Sequence, residues 1–180
     1  MNTFISQNTT NLIRNIGLIA LLLVSFQSEA LAKKTLLEEN GVHKVQIEKG
    51  AEINVHVAVT DIEQAQGLSG VKKEDFATNQ AVLFYYPDDG QRQFWMPDTH
   101  FNLDIFFLDK DLKVLNVERN VPAHPGMTEP PPIARTGLYT CRYVLELRAD
   151  SDLAKKIKKG TVLKWLGQKS LSEIGSKTRP

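Results

Sequence analysis

The sequence predicts a single compact domain of mainly β (α+β) class, with a mostly antiparallel sheet that curls towards a barrel and two short helices. Three observations predict this fold. Apolar residues alternate along several short segments, turn residues separate most of these segments, and only two stretches have helix start and stop signals. Because the 180 residues include one cysteine, packing rather than disulfide bonds must stabilise the domain.

The first 32 residues have the order of a secretory signal peptide, which we expect to be cleaved after Ala32. A basic residue precedes the apolar run Leu18–Phe26, and Ala30-Leu31-Ala32 stands before two lysines. The apolar run is about half of the ~20 residues that a membrane-spanning helix needs, so no stable membrane insertion is expected after cleavage. We expect the rest to be exported, to a bacterial periplasm, as one domain over residues 33–167 with a disordered tail at 168–180.

The N-terminal part of the domain is predicted to hold two strands and a capped helix. A first strand is expected over Val42–Ile47, and Glu52–Val59 alternates β-branched with more polar residues, as a half-buried strand does. Thr60 and Glu63 have the spacing of a capping box, and Gly67 provides the stop. The helix between them is therefore one or two turns long.

Two hairpins are predicted in the middle of the chain. Ala81–Tyr86 and Gln91–Met96 flank Pro87-Asp88-Asp89-Gly90, in which proline fixes one backbone angle and glycine frees another. Phe101–Leu108 and Leu112–Val117 flank a short polar turn and predict the second hairpin.

The segment from Asn120 to Gly137, here called the Pro-rich loop, contains five prolines and cannot form a central strand or a helix interior. A loop of this length is functional or mobile in most compact domains. A strand over Tyr139–Leu147, a helix within Asp150–Gly160 and a last strand over Thr161–Leu166 complete the domain. In the first of these, alternation places Cys141 on an apolar face with Tyr139, Tyr143 and two leucines, which predicts a buried, unreactive thiol.

Neither the net charge nor the spacing of the histidines indicates a nucleic-acid partner or a metal site. A formal net charge of +1 gives no reason to expect a nucleic-acid partner. The histidines His43, His56, His100 and His124 lack the close spacing of metal ligands, so neither a metal nor another cofactor is expected.

Two carboxylates, Asp104 and Glu146, lie within apolar strand segments, where a charge is costly unless it is paired or hydrogen-bonded. One interpretation makes them the acid and base of a hydrolase that acts on an envelope saccharide. The other is structural. In it, Asp104 accepts backbone amides from the Trp95–Thr99 turn, and Glu146 pairs with Arg142 or Arg148.

A binding surface is the leading hypothesis for function, because no complete catalytic constellation is present. Trp95, Asp98 and Thr99, together with the Pro-rich loop, are the candidate residues for a small ligand, an envelope polymer or a protein partner. The alternative places Phe94 and Met96 in the core and packs Trp95 under the loop. The sequence thus favours a non-enzymatic exported binding module, with the hydrolase as its rival.

Five short motifs, closed by Lys158-Lys159-Gly160, resemble in order and spacing the domain-of-unknown-function 192 family: Gln66–Gly70, Val82–Phe84, Phe94–Thr99, Leu103–Leu108 and Tyr143–Leu147. The resemblance covers roughly residues 42–166. It implies a compact, mostly β, commonly exported domain with no established activity and no agreed catalytic residues. The family pattern usually has Arg where this chain has Gln64 and Lys-Asn where it has Pro97-Asp98. If the family uses those cations to hold an anion, this chain has lost them.

Overall fold

The structure, a computed structural model, describes residues 41–177, so the predicted signal peptide and residues 33–40 lie outside the described residues. No helix in this range is long and apolar enough to span a bilayer. The strands are β1 (Val42–Gln46), β2 (Glu52–Ala58), β3 (Gln80–Arg92), β4 (Leu103–Leu108), β5 (Val114–Val121), β6 (Tyr139–Arg148) and β7 (Lys164–Trp165). The α-helices are α1 (Asp61–Gln66), α2 (Asp152–Lys156) and α3 (Leu171–Lys177), with single 3-10 turns at Glu48–Gly50 and Lys73–Asp75.

The seven strands form one curled sheet in the order β5-β4-β6-β3-β2-β1-β7. The pair β2 and β3 is parallel, and the other neighbouring pairs of this sheet are antiparallel. The predicted mainly β, mostly antiparallel fold is therefore confirmed. The parallel pair arises because the segment between β2 and β3, which contains α1, is long enough for a crossover.

The first predicted hairpin is wrong, whereas the second is confirmed. Both halves of β3 pair with the same strand, β6: Tyr85 lies opposite Tyr143, and Gly90 lies opposite Cys141, with a register shift between them. The Pro-Asp-Asp turn residues therefore form an irregularity within one long strand, a position that tolerates a proline without an N–H donor. Strands β4 and β5 do form an antiparallel hairpin.

The centre of the sheet, formed by β4 with Ala81–Tyr85 of β3 and Tyr143–Leu147 of β6, is buried on both faces, and the two faces differ. Directly paired residues point to the same side of a sheet. One side, the core face, carries Ala81, Leu83, Phe106, Leu145 and Leu147, which pack against α2 and α3. The opposite side, the cavity face, carries Val82, Phe84, Ile105, Phe107, Val144 and Glu146.

The C-terminal segment corrects two predictions. The last predicted strand shortens to β7, which pairs with β1 at Trp165 and Lys164. Residues 171–177 of the predicted disordered tail instead form α3, because Leu171 and Ile174, one turn apart, bury against the core face. Ser170 and Glu173 cap this helix reciprocally: Glu173 N–H donates to Ser170 Oγ at 3.2 Å, and Ser170 N–H donates to Glu173 Oε2 at 2.7 Å.

Local signals predicted α1 and α2 well. Thr60 and Glu63 form the expected capping box, and Gly67 ends α1 at a positive φ of 47°. The second helix is shorter than Asp150–Gly160 and begins after Ser151, whose hydroxyl accepts the amides of Leu153 and Ala154. Both helices are therefore set by their own capping residues.

Cys141 is buried, as predicted, and burial is the main cause that raises the pKa of its thiol to about 11. The prediction that Tyr139 and Tyr143 lie on the same face of this strand is wrong. The Tyr139 ring lies 4.6 Å from the Phe107 ring on the cavity face, whereas Tyr143 packs on the core face. The register shift between Tyr85 and Gly90 of the partner strand interrupts the alternation that the prediction assumed.

Candidate functional site

A cavity of about 50 Å³ opens on the cavity face, between the C-terminal end of α1 and the segment 93–99, here called the Trp95 segment. Gln64, Gly67, Phe84, Trp95, Thr99 and Glu146 are among its lining residues. A volume of this size accommodates a few water molecules or the end group of a larger molecule. The cavity therefore has room for a small chemical group only.

Glu146 lies in this cavity. It extends from the middle of β6 beside Val82 and Ile105, and 4% of its surface is exposed. Among residues 41–177, no group donates a hydrogen bond to its carboxyl. Burial alone raises the pKa of this carboxyl from 4.5 to about 8, because removal from water disfavours the charged form. At neutral pH, Glu146 is mainly a neutral acid that can both donate and accept a hydrogen bond.

Gly67 allows the end of α1 to approach Glu146. A Cβ atom at this position would lie 2.9 Å from Phe84 Cζ and 3.8 Å from Glu146 Oε2. The positive φ of Gly67 is also one that residues with side chains rarely adopt. Beside it, Gln64 is held in place because its Nε2 donates to Val59 O at 3.2 Å and Tyr85 O at 2.6 Å.

The Trp95 segment is held by the Pro-rich loop rather than by the first half of β3. Met96 N–H donates to Ala134 O at 3.1 Å, and Thr136 N–H donates to Phe94 O at 2.8 Å. Met96 is thereby buried, whereas Trp95 remains 50% exposed, with the Arg135 guanidinium 5.4 Å from its ring centroid. About half of the Trp95 surface therefore remains accessible at the cavity, next to the loop.

The structure brings two of the three predicted binding residues, Trp95 and Thr99, together with Glu146. Asp98 is not among the lining residues. It adopts a φ of 49°, accepts the Gly126 amide on Oδ1 at 3.3 Å, and lies 3.3 Å from His100 Nε2. Asp98 therefore connects the Trp95 segment to the Pro-rich loop.

Asp104 and Glu146 do not converge, because they lie on opposite faces of the sheet. Asp104 is opposite Leu147 on the core face, where its Oδ2 accepts from Arg119 Nη1 at 2.5 Å and its Oδ1 accepts the Asn120 amide at 2.8 Å. The expected acid and base pair is therefore not formed. The structural interpretation of Asp104 is correct in kind, although its donors come from β5 rather than from the Trp95 segment.

The predicted pairing of Glu146 with an arginine of its own strand is also wrong. Arg148 instead forms a two-bond pair with Asp150, at 2.8 Å and 2.6 Å. Arg142 Nε donates to Asp89 at 2.8 Å. Both arginines are therefore engaged by carboxylates other than that of Glu146.

Sequence reasoning missed the contribution of α1, which supplies Gln64 and the glycine beside Glu146. The sequence did contain a signal for this cavity, because residues from several of the family-like motifs line it. Gln64 and Pro97, which depart from the family pattern, also line it. In residues 41–177, no group of three His, Cys, Asp or Glu side chains is placed to hold a metal ion.

Known proteins are similar to this chain in sequence profile and in fold. One similar solved structure is a proposed transcription regulator from Sinorhizobium meliloti, which is 22% identical; the match covers 69% of this chain and 92% of that chain, with a TM-score of 0.56. Another is a protein of unknown function from Novosphingobium aromaticivorans, which is 25% identical; the match covers 69% of this chain and 84% of that chain, with a TM-score of 0.54. A search of curated proteins finds no match. The profile of the DUF192 family, described as "Uncharacterized ACR", matches residues 43–165. The chain therefore belongs to the DUF192 family.

Proposed function

We propose that this protein is an exported, non-enzymatic binding module whose cavity receives the end group of a small ligand, an envelope polymer or a protein partner. The proposal rests on the buried Glu146 carboxyl, which has no hydrogen-bond partner among residues 41–177 and lies in a cavity beside an exposed tryptophan. A strand does not need a carboxyl at such a position, since an apolar residue would bury at lower cost. Strongly perturbed acids in clefts are candidate functional groups for this reason.

The surroundings of Glu146 suit recognition of a ligand end group. Apolar and aromatic residues, among them Phe84 and Phe94, form much of the wall, and a few polar side chains are positioned to orient a bound group. Trp95 then offers a large, rigid surface on which the remainder of the ligand can lie. The polar group and the stacking surface together form a two-part binding site.

Geometry favours binding over the rival hydrolase. Glycoside hydrolysis by two carboxylates requires both groups on one substrate. Glu146 is the single acidic residue among the described residues lining the cavity, and Asp104 is engaged on the other face by Arg119. A buried acid with a pKa near 8 could donate a proton, but the matching base is not placed beside it.

A ligand screen by thermal stabilisation tests the proposal, because a ligand that binds only the folded state raises its stability. Envelope saccharides, peptides and small metabolites would be screened against the wild type, Trp95→Ala and, as a matched control, Val162→Ala, which removes an exposed apolar side chain outside the cavity lining. We expect a ligand that stabilises the wild type and Val162→Ala but not Trp95→Ala. Ligands that stabilise all three proteins equally would contradict the site, and the absence of any ligand would contradict the binding function.

Export is the second part of the proposal, and it is supported by the signal-peptide pattern of the first 32 residues. We expect the intact mass of the protein recovered from the exported fraction to correspond to a chain that begins at Lys33. Retention of the uncleaved chain in a membrane fraction would contradict this prediction.

A further inference from the structure

The cavity contains an acid and no cation of its own. Glu146 is the one charged residue among the described residues that line the cavity. The other polar side chains there, such as Gln64, Gln66 and Thr99, are neutral. The two positions where the family pattern usually has Arg and Lys are Gln64 and Pro97 here. A ligand anion would therefore enter beside a carboxyl without a positive partner, whereas a ligand cation would meet its counter-ion.

The aromatic wall also favours a cation. Phe84 and Phe94 pack edge to face with centroids 4.7 Å apart, and both line the cavity together with Trp95. Aromatic faces attract ammonium and guanidinium groups through the ring quadrupole. The Trp95 ring already takes part in one such contact, with Arg135.

The size of the cavity limits the shape of the cation. Glu146 is 4% exposed, and the space beside it measures about 50 Å³. Only a slender group of a few heavy atoms fits such a volume. A primary ammonium on an unbranched stem can reach the carboxyl, while the bulk of the ligand stays outside on Trp95.

Building on the proposed binding function, we propose that the cavity binds a primary ammonium group on an unbranched alkyl stem, the chemistry of a lysine side chain, with Glu146 as its counter-ion. No covalent bond forms between the protein and the ligand, and the O–H bond of the Glu146 carboxyl is the bond that breaks. The neutral Glu146 carboxyl gives its proton to solvent water, and the resulting carboxylate forms an ion pair with the incoming ammonium. Well below pH 8, where the free carboxyl is protonated, about one proton is therefore released for each ligand bound.

Few other charges act on Glu146. Tyr86, on the neighbouring strand, interacts with its charge, and Arg92 stacks on the Tyr86 ring at 4.0 Å. Glu63, on α1, accepts the amides of Val59 and Thr60, and Arg135 stacks on Trp95. Ionisation of Glu146 therefore dominates the pH dependence of ammonium binding. Affinity should rise about tenfold per pH unit up to about pH 8, where the carboxyl becomes half ionised, and level off above it.

Amide NMR titrations with four probes test the inference. The probes are acetyl-Gly-Lys-Gly-amide, the same peptide acetylated on the lysine Nζ, acetyl-Gly-Glu-Gly-amide, and a glucosamine dimer, whose amine lies on a ring. We expect the lysine peptide to shift the resonances of residues 64–69 and 94–99 and to bind at least about tenfold more tightly than the other probes, since a buried ion pair separates charged from neutral ligands by this amount or more.

Two variants complete the test. Glu146→Gln keeps the size of the side chain and should lose both the preference for the ammonium and its pH dependence, with a melting temperature no lower than that of the parent. Val162→Ala should bind as the wild type does.

Each other result overturns the inference. Equal binding of the acetylated peptide, or tighter binding of the glutamate peptide, would show that the cavity does not select an ammonium charge. Tighter binding of the glucosamine dimer would show that it does not select an unbranched stem. If none of the four probes shifts the amide resonances of the cavity residues while the ligand screen finds a ligand whose binding depends on Trp95, the inference fails and the proposed function stands. If the screen also finds none, both fail.

Discussion

Asp104 and Glu146 are both buried acids on adjacent strands of one sheet, and they meet opposite environments. Asp104 faces the core side, where a guanidinium and a backbone amide satisfy both of its oxygens. Glu146, one register position away on β6, faces the other side and has no donor among the described residues. The surrounding sequence is similar, since each acid stands between apolar residues. Whether an acid in an apolar strand is satisfied by the protein therefore depends on the groups that the surface packed against it supplies.

The difference originates in β5. Between Leu103 and Ile105 the register of the β4–β5 pair shifts, so that Arg119 and Asn120 both reach Asp104. Such a bulge redirects a side chain and a backbone amide towards one point. Arg119 also donates to the carbonyls of Ala154 and Ile157, and it thereby ties α2 to the sheet. On the cavity face, the corresponding space beside Glu146 is left open.

The largest expected effect concerns the pH dependence of stability at Glu146. Its folded pKa of about 8 lies above the ordinary value of 4.5, so its contribution to stability is fully present below pH 4.5 and is lost as the pH rises to 8. Glu146→Gln should remove this loss. The unfolding free energy of the variant, measured relative to that of the wild type, should therefore be about 3 kcal/mol higher at pH 8 than at pH 5. Denaturant melts of both proteins at the two pH values measure it. Parallel pH profiles would contradict the account of Glu146.

Asp104→Ala should have the next largest effect, in the opposite direction. It leaves the Asn120 amide without its acceptor and Arg119, whose side chain is 40% exposed, without its counter-ion. We expect a loss of about 2–3 kcal/mol in unfolding free energy, because water can reach part of the guanidinium. Asp104→Asn should lose less, since its side-chain oxygen can still accept the amide. An Asp104→Ala protein as stable as the parent would show that this pair is not structural.

Trp95→Ala should change stability by less than about 1 kcal/mol, since surface substitutions are usually mild. The same change should weaken binding of a cavity ligand by about 2 kcal/mol or more if Trp95 is an anchor. Met96→Ala is the matched control within the same segment, because this neighbouring side chain is buried and its loss should be mainly a loss of stability. Equal destabilisation by the two changes would place Trp95 in the core instead.

The smallest expected effect concerns the Pro-rich loop. Both ring nitrogens of the buried His124 face carbonyl oxygens, Pro131 O at 2.8 Å and Gly126 O at 3.2 Å. These contacts, the Pro131 carbonyl first, raise the pKa of His124 above 6.5 because the imidazolium can donate to both. The stabilisation is fully present below pH 6.5 and is lost as the pH rises through the folded pKa.

Hydrogen exchange of the amides of Asp98 and Thr99, which donate to Gly126 O and His124 O, measures this effect. Protection should fall between pH 5.5 and 8 beyond the intrinsic change in exchange rate. In His124→Gln, the additional fall should be absent. If protection depends on pH in the same way in the wild type and in His124→Gln, ionisation of His124 does not stabilise the loop.

Local signals predicted much of the fold. Alternation predicted β2, and the spacing of Thr60 and Glu63 predicted α1, because both depend on neighbouring residues only. The hairpin through Pro87–Gly90 failed because the Trp95 segment finds its backbone partners about 40 residues away, in the Pro-rich loop. The helix α3 was missed although Ser170 and Glu173 have capping-box spacing.

The candidate site was predictable in part. Trp95, Thr99 and Glu146 were all predicted as candidate residues, but the sequence did not reveal that no described residue donates a hydrogen bond to Glu146. That property depends on which face of the sheet each acid occupies and on the bulge opposite Asp104. Neither is encoded in the residues next to the acid. The position of Gly67 beside Glu146 likewise follows from the crossover between β2 and β3.

The ionisation of Glu146 in the ligand-free protein is the most direct test of the central claim, that this acid is buried without a hydrogen-bond partner among residues 41–177. A carbon-detected NMR titration would follow the side-chain carboxyl carbon of Glu146, with the Glu146→Gln variant to assign its resonance. The structure predicts a midpoint of about pH 8, because burial is the cause that acts on this carboxyl. A midpoint near the ordinary value of 4.5 would mean that water or a donor satisfies the carboxylate, and it would contradict the claim.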